Sequence, residues 1–481
     1  MTMSVVDRNE PFPVASAAVS QNVTCSMGSR WRPNHAQGRG GGRAILPAVS
    51  FRRTLWLIFL GGLVLRAAFL LLEPPTFPVG DERTYLTWGT QYLPSARVAF
   101  SPFRMHLIFH PPLYPYFIAL VQSLPGGLAV VQWVQVALSA LLVPAVGRVG
   151  LRAFGERTGL VAAGITAVFP ELVWFAPHFW SETVMLFLLW WAIERLLEAD
   201  EQGRVLPAAL GGVLLGLTAL TRETVLYFAP LGALWLAWRP LRPRARLRGA
   251  VFLAAVVLTV APWTLRNWMV FRTFIPVSTS AGLNLWQGNA GLTREEVYEE
   301  YGSVDGRIDQ YRYATRKGIE AILARQPWWV FEKFVAEMPR FWGDSQTLIH
   351  LRRRAYGERS PAFTWAVSAV VVLPYVAVLG LFCVGLVRAP LDRRRALIAG
   401  FLAYYVLLHV VAYGFPRYRL PILPAVFLFA AAGWLAWREG RLLPGLGRRI
   451  LVYVLAGGFA AALIPGYAEN VAHPAFHTSR D

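Results

Sequence analysis

Apolar runs of about 15 to 26 residues alternate with short arginine-rich loops along most of this chain, and a crossing helix needs about 20 apolar residues. The runs fall at about 54–72, 128–147, 158–176, 182–198, 206–221, 224–238, 249–266, 362–387, 396–413, 419–437 and 450–466. They predict a helical protein that crosses a membrane many times. One further run, 112–124, opens with His110-Pro111-Pro112-Leu113-Tyr114-Pro115 and stops at Pro125-Gly126-Gly127. Its prolines and length predict a re-entrant or surface helix; the alternative is a further crossing.

The polar loops orient these spans. Arg52 and Arg53 precede the first. Arg148, Arg152 and Arg157, then Arg239 to Arg248, then Arg388 to Arg395, then Arg438 to Arg449 fill alternate loops. With eleven spans, every cluster falls on the side of the N-terminus, as the positive-inside rule requires of a cytoplasmic face. The opposite, outer face then receives residues 73–127, a larger insert at 267–361, and the short loop 414–419.

Composition agrees. Of 481 residues, 55% are hydrophobic and 16% charged, with a mean hydropathy of +0.42. The net charge is +19, from 47 basic and 28 acidic residues, and only Lys317 and Lys333 are lysines. In a soluble protein such an excess suggests nucleic acid; here the arginines sit where membrane topology places them, so no nucleic-acid partner is expected. Cys25 and Cys383 offer no disulfide framework and no cysteine metal site. Residues 1–50 are polar and glycine-rich and predict a disordered basic cytoplasmic tail. The expected organisation is therefore that tail, an N-terminal transmembrane module over 51–266 that includes the first outer loop, a periplasmic cap at 267–361, C-terminal helices over 362–466, and a short periplasmic tail at 467–481.

Candidate chemistry gathers at the outer face. Asp81-Glu82 follow Gly80 directly after the first span, and a helix from Asp81 puts Tyr85 on the same face. Such a carboxylate suits a general base, or it simply caps a helix. Glu182, after Ser181, starts a span and carries the same two readings. Arg66 lies within the first span, where an arginine either serves function or snorkels to the headgroups. Arg266, Arg417 and Arg419 are outer-face arginines against the usual bias, and guanidinium holds phosphate by paired hydrogen bonds. Arg222-Glu223 is either a structural pair or a ligand contact. His110, before two prolines, cannot sit inside a helix. No phosphate-binding glycine loop or βαβ pattern is visible, so a nucleotide-sugar donor is not expected.

Taken in order, several of these segments resemble the C-type glycosyltransferase superfamily, closest to its family 39 branch of protein mannosyltransferases and aminoarabinose transferases. The carriers are Asp81-Glu82 with Tyr85, the His110 to Pro115 motif, Ser181-Glu182, Leu220-Thr221-Arg222, Pro262 to Asn267, the stretch Ser278 to Asn289 that ends in Asn284-Leu285-Trp286-Gln287-Gly288-Asn289, and Arg417 to Pro424. The resemblance implies an all-α polytopic fold of roughly 11–13 transmembrane helices with juxtamembrane helices and a small cap. It implies an inverting transfer of sugar from a polyprenyl-phosphate donor, on the extracytoplasmic side of the inner membrane, to a glycolipid, lipid A, a cell-wall glycan or a protein. In that picture Asp81 is the base, Glu82 and Glu182 complete the catalytic group, and Arg266 with Arg417 or Arg419 holds the donor phosphate. Arg66, Tyr85, His110, Arg222 and Asn289 contact substrate. Members differ over a divalent metal, so no cofactor is firmly implied and a metal stays open. Two departures are plain: Glu182 stands where the aminoarabinose branch looks to have Asp, and His110-Pro111 replaces an acidic-basic pair. The rival readings are a ligase or polymerase of polyisoprenoid-linked glycan, and a lipid or sugar transporter or flippase.

Overall fold

The computed structural model describes residues 50–73, 78, 80–92, 108–239, 243–343, 345, 347–349, 360–440 and 445–472. The expected N-terminal tail, Cys25 and most of the expected C-terminal tail lie outside the described residues. These residues all belong to one compact unit, Val49–Asp481.

They form helices, with no strand among the described residues. Helix α1 is Phe51–Leu72, α2 is Asp81–Thr87, α3 is Leu113–Gln122, α4 is Leu128–Phe154, α5 is Glu156–Val168 and α6 is Pro170–Phe175. Next come α7 (Glu182–Gln202), α8 (Val205–Thr221), α9 (Ala229–Ala237) and α10 (Ala245–Phe271). The outer insert supplies α11 (Ser280–Asn289), α12 (Arg294–Gly302), α13 (Arg307–Ala324) and α14 (Trp329–Trp342). The bundle closes with α15 (Pro361–Arg388), α16 (Arg393–Val411), α17 (Leu423–Arg438) and α18 (Leu446–Ala472).

Among the described residues six helices are long and apolar enough to cross a membrane, and the chain is an all-α, multi-pass membrane protein. Other expected spans are built differently. The run at 158–176 is split at Phe169-Pro170, because proline cannot continue the helix and holds the residue before it extended; Phe169 has ψ 121°. The run at 224–238 starts as a tight 3-10 turn over Glu223–Phe228 before α9. Helix α3 has ten residues, about 15 Å at 1.5 Å per residue, half the thickness of a bilayer core.

The basic loops gather at one end of the bundle, as their alternation predicts. Arg394 donates to the Arg152 carbonyl at 2.8 Å and Arg395 to that of Ala153 at 3.0 Å. The buried carboxylate of Glu194 receives Arg148 at 2.8 Å and Arg152 at 3.2 Å. Small residues let the long helices meet backbone to backbone. A Cβ on Gly385 of α15 would lie 1.8 Å from the Phe429 carbonyl of α17.

Candidate active site

Helix α2 is placed by its first residues. Gly80 has φ +55°, a left-handed turn that a side chain would strain, and the next two residues put Asp81 and Glu82 in the first turn, where the helix dipole favours them. Glu82 is buried and accepts the backbone N–H of Phe179 at 2.9 Å. That bond ties α2 to the turn before α7. Gln122 donates to the Gly89 carbonyl at 2.6 Å and ties α2 to α3. Tyr85 lies in this seam, with its ring 5.3 Å from that of His110 and its hydroxyl 3.5 Å from Ser181 Oγ.

Four charges meet above the seam. Arg417, in the 3-10 turn Pro416–Ile422, donates directly to Asp81, 336 positions away. Its Nε lies 3.8 Å from Glu182. Arg222, at the end of α8, donates to Glu182 and, at 3.0 Å, to Ser181 Oγ. The guanidinium of Arg417 stacks 4.5 Å over Trp180 and 5.3 Å over Tyr418. Two carboxylates and two guanidiniums thus balance in a pocket where an unpaired charge would be costly.

This pairing sets the protonation of the loop groups. Burial alone would raise the Asp81 carboxyl, but the charges of Arg417, His110 and Arg222 outweigh it and hold Asp81 below the usual carboxylate range. Burial disfavours the imidazolium of His110, helped by the nearby arginines, and lowers it to about 4 against the pull of Asp81. Burial also pushes the Tyr85 phenol up to about 12.

The network lines a chamber of two parts. The inner part, about 270 Å³, has Glu182, Arg222 and Glu223 on one side and apolar walls from Met185, Leu285 and Leu408. The outer part, about 100 Å³, is polar and is lined by Asp81, Gln287, Arg294 and Tyr298. His110, Arg222, Ser280, Asn284, Tyr413, Arg417 and Tyr418 line both. Cavities of about 720 and 690 Å³ lie elsewhere, one at the basic-loop end and one an apolar groove beside α5 and α15. Neither is lined by any member of this network.

Residues 109–265, about a third of the chain, match the model of the dolichyl-phosphate-mannose-protein mannosyltransferase family. The match indicates a membrane enzyme of the glycosyltransferase type. It is in line with the resemblance read from the sequence, and it begins just before His110 and ends just before Arg266. Among solved structures, the chain is similar to the archaeal oligosaccharyltransferase AglB from Archaeoglobus fulgidus, in complex with an inhibitory peptide and a dolichol-phosphate. That similarity has a TM-score of 0.49, 17% identity, and covers 88% of this chain and 56% of that one. The Archaeoglobus fulgidus oligosaccharyltransferase in complex with zinc and sulfate matches with a TM-score of 0.48, 16% identity, and coverage of 85% and 53%. This chain therefore spans just over half the length of those proteins. No curated protein matches it.

The network and the seam beneath it bring together Asp81, Tyr85, His110, Glu182, Arg222 and Arg417. Five other residues singled out in the sequence have structural partners instead. Arg419 is fully buried and donates to Glu171 at 3.2 Å and to the carbonyls of Phe341 and Trp342. It joins the outer end of α17 to α6 and α14, and it does not line the chamber. Asn289 donates to Val411 O at 3.0 Å and accepts from Trp329 at 2.8 Å, which fixes α11 to the cap. Glu82 faces the Phe179 amide. Arg266 donates to Asn267 at 3.0 Å, lies 4.8 Å from the Trp263 ring, and is absent from both parts of the chamber.

Arg66 is the fifth, and it has a clear structural task. Its guanidinium donates to Ala167 O at 2.7 Å, Thr166 O at 3.0 Å and Ser139 Oγ at 2.8 Å. The break at Phe169-Pro170 strips the last carbonyls of α5 of their helical partners. Arg66 supplies donors and a positive charge to that helix end.

The chamber is also lined by Glu223, which the sequence offered only as a possible pair of Arg222, and by residues the sequence did not single out. Glu223 accepts from Ser278 Oγ at 2.8 Å, from the Ser278 amide at 3.2 Å and from Ser280 Oγ at 3.2 Å. This one side chain anchors the start of α11 over the inner chamber. The sequence reading of Arg222-Glu223 as a structural pair or a ligand contact did not foresee these serine partners. Gln287 lies in the Asn284 to Asn289 segment that carried the resemblance, whereas Arg294 and Tyr298 come from the amphipathic insert and carried no signal of their own. Among the described residues no three His, Cys, Asp or Glu side chains converge to hold a metal, and Asp81 and Glu182 are both matched to arginines.

Proposed function

We propose that this chain is an inverting glycosyltransferase that moves a sugar from a polyprenyl-phosphate donor to a hydroxyl-bearing acceptor on the extracytoplasmic face of an inner membrane. The acceptor is a glycolipid, lipid A, a cell-wall glycan or a protein. One observation carries the reading: Asp81 and Arg417 form a direct pair at the junction of an apolar chamber and a polar one. A lipid-linked phosphate enters by the apolar part, and a hydroxyl enters by the polar part. The family match over residues 109–265 supports the same class.

The pair is a resting state. A phosphate offers Arg417 a stronger, bidentate partner than a single carboxylate does. When phosphate takes that guanidinium, the charge that lowers Asp81 is neutralised and its basicity rises. The base is thus weak until a donor is in place. The acceptor oxygen then attacks C1 of the sugar from the face opposite the phosphate. The new C–O bond forms, the bond from C1 to the phosphate oxygen breaks, and its electron pair leaves on the phosphate. The hydroxyl proton passes to Asp81. Arg417 and Arg222 hold the charge that develops on the leaving phosphate.

The test is Asp81→Asn in the full-length protein, reconstituted with polyprenyl-phosphate sugars and a membrane-glycan extract as acceptor. Sugar transfer should fall by about 10²- to 10⁴-fold, the usual contribution of a general base, with donor binding retained. Unchanged transfer would overturn the reading. A second arm places the site: a cysteine at position 81 should react with an impermeant thiol reagent from the extracytoplasmic side alone.

A further inference from the structure

We propose that the acceptor carries an anionic group beside its attacking hydroxyl, and that Arg294 selects it. This rests on the glycosyltransferase reading of the site. Three guanidiniums line the polar outer part of the chamber, those of Arg222, Arg294 and Arg417, against the single carboxylate of Asp81. Arg417 is matched to Asp81 and Arg222 to Glu182. Arg294 makes no ion pair among the described residues. It stacks 5.1 Å over Tyr298, donates to the hydroxyl of that neutral side chain, and lines the outer chamber.

Its helix is fixed in that place. Thr293 accepts the Glu296 amide at 3.2 Å while the Glu296 carboxylate turns back to the Thr293 amide at 2.7 Å. This capping box sets the first turn of α12 and commits the Glu296 carboxylate to Thr293. The amide side chain of Gln287, which can donate two hydrogen bonds, lines the same outer part.

The position of Arg294 decides which substrate it meets. It lines the polar part together with Asp81, and it is absent from the apolar inner part. A lipid-linked donor fills the inner part and spends Arg417 and Arg222 on its phosphate. Arg294 then remains beside the base and faces the incoming hydroxyl. A phosphate or carboxylate close to that hydroxyl matches a guanidinium that has no ion-pair partner among the described residues, and a neutral acceptor leaves its charge unmatched.

The experiment is thermal protection of the full-length protein in detergent, with glycerol 1-phosphate, glycerate and glycerol as acceptor probes and farnesyl phosphate as the donor probe. Wild type should be stabilised by the two anions and not by glycerol. Arg294→Gln should need at least about 10-fold more of either anion, the loss expected for one charge-assisted hydrogen bond, and Arg294→Lys should fall between. Protection by farnesyl phosphate should be the same in wild type and Arg294→Gln, and should weaken in Arg417→Lys. Equal anion response in wild type and Arg294→Gln would overturn the proposal, as would equal response to glycerol and glycerol 1-phosphate. Weaker farnesyl phosphate protection in Arg294→Gln would move Arg294 to the donor phosphate and overturn it too. If Arg417→Lys leaves farnesyl phosphate unaffected, the reading of the site itself falls, and this inference with it.

Discussion

Glu337 accepts the backbone N–H of Gly414 at 2.7 Å, and so α14 of the cap holds the turn that presents Arg417. The same carboxylate receives Lys333 at 2.8 Å, with both side chains almost fully buried. Lys333 in turn donates to the Gly288 carbonyl at 2.5 Å. Gly288 itself comes so close that a Cβ there would lie 1.7 Å from the Ala412 carbonyl. The outer cap is therefore bolted to the turn between α16 and Arg417 at two neighbouring points, and Lys333 ties the two together.

Glu337→Gln should cost about 3 kcal/mol of stability, because removing one partner of a buried pair strands the other charge. It should also weaken protection by farnesyl phosphate. The double variant Lys333→Met with Glu337→Met should regain much of the stability, since no lone charge remains buried, and should not regain the phosphate affinity. Thermal melts with and without the lipid separate the two effects. Full recovery of both would show that the tie to Gly414 does not position Arg417.

Arg66→Met should destabilise the bundle and leave donor binding alone. It removes the donors of two buried carbonyls, each worth about 1–3 kcal/mol when left unsatisfied. Arg66→Lys should recover part of the loss, because one ammonium can reach only some of the three acceptors. A variant that melts like wild type but binds farnesyl phosphate poorly would return Arg66 to the substrate site.

Acid should weaken the fold through His110. Its folded pKa, about 4, lies below the usual imidazole value, about 6.5 when unperturbed. Between those values the unfolded chain takes up a proton that the folded chain refuses, so stability falls as pH drops from about 6.5 toward 4. His110→Gln should flatten that stretch of the melting-temperature profile. Asp81 has the same sign in a lower window: its folded pKa is depressed, so its contribution persists down to about pH 4, near its unfolded value, and is lost only below that. A profile for His110→Gln that still falls as steeply between pH 6.5 and 5 would remove His110 as the cause.

Some of the site was legible because its signals are local. Asp81-Glu82 after a span, Glu182 at the start of another, Arg222 in a turn between two spans, and Arg417 against the topological bias are each visible within a few residues. Arg419 and Arg417 were not separable that way. They stand two positions apart in one turn, yet Arg417 meets Asp81 and Arg419 meets Glu171. A 3-10 turn sends neighbouring side chains in different directions, and nothing in the local sequence says which one finds the chamber. Glu171 gave no sequence signal, because its partner is 248 positions away.

The sequence by itself determined the apolar runs, the end of the bundle where the basic loops gather, and the presence of carboxylates and arginines at the other end. These follow from hydropathy and loop charge, which each segment carries alone. Only the tertiary structure decided which guanidinium meets which carboxylate, that Arg66 serves a broken helix, and that Glu223 and Arg294 face the chamber. Those outcomes depend on distances between segments hundreds of positions apart, and buried charges are placed by the partners that packing brings within reach.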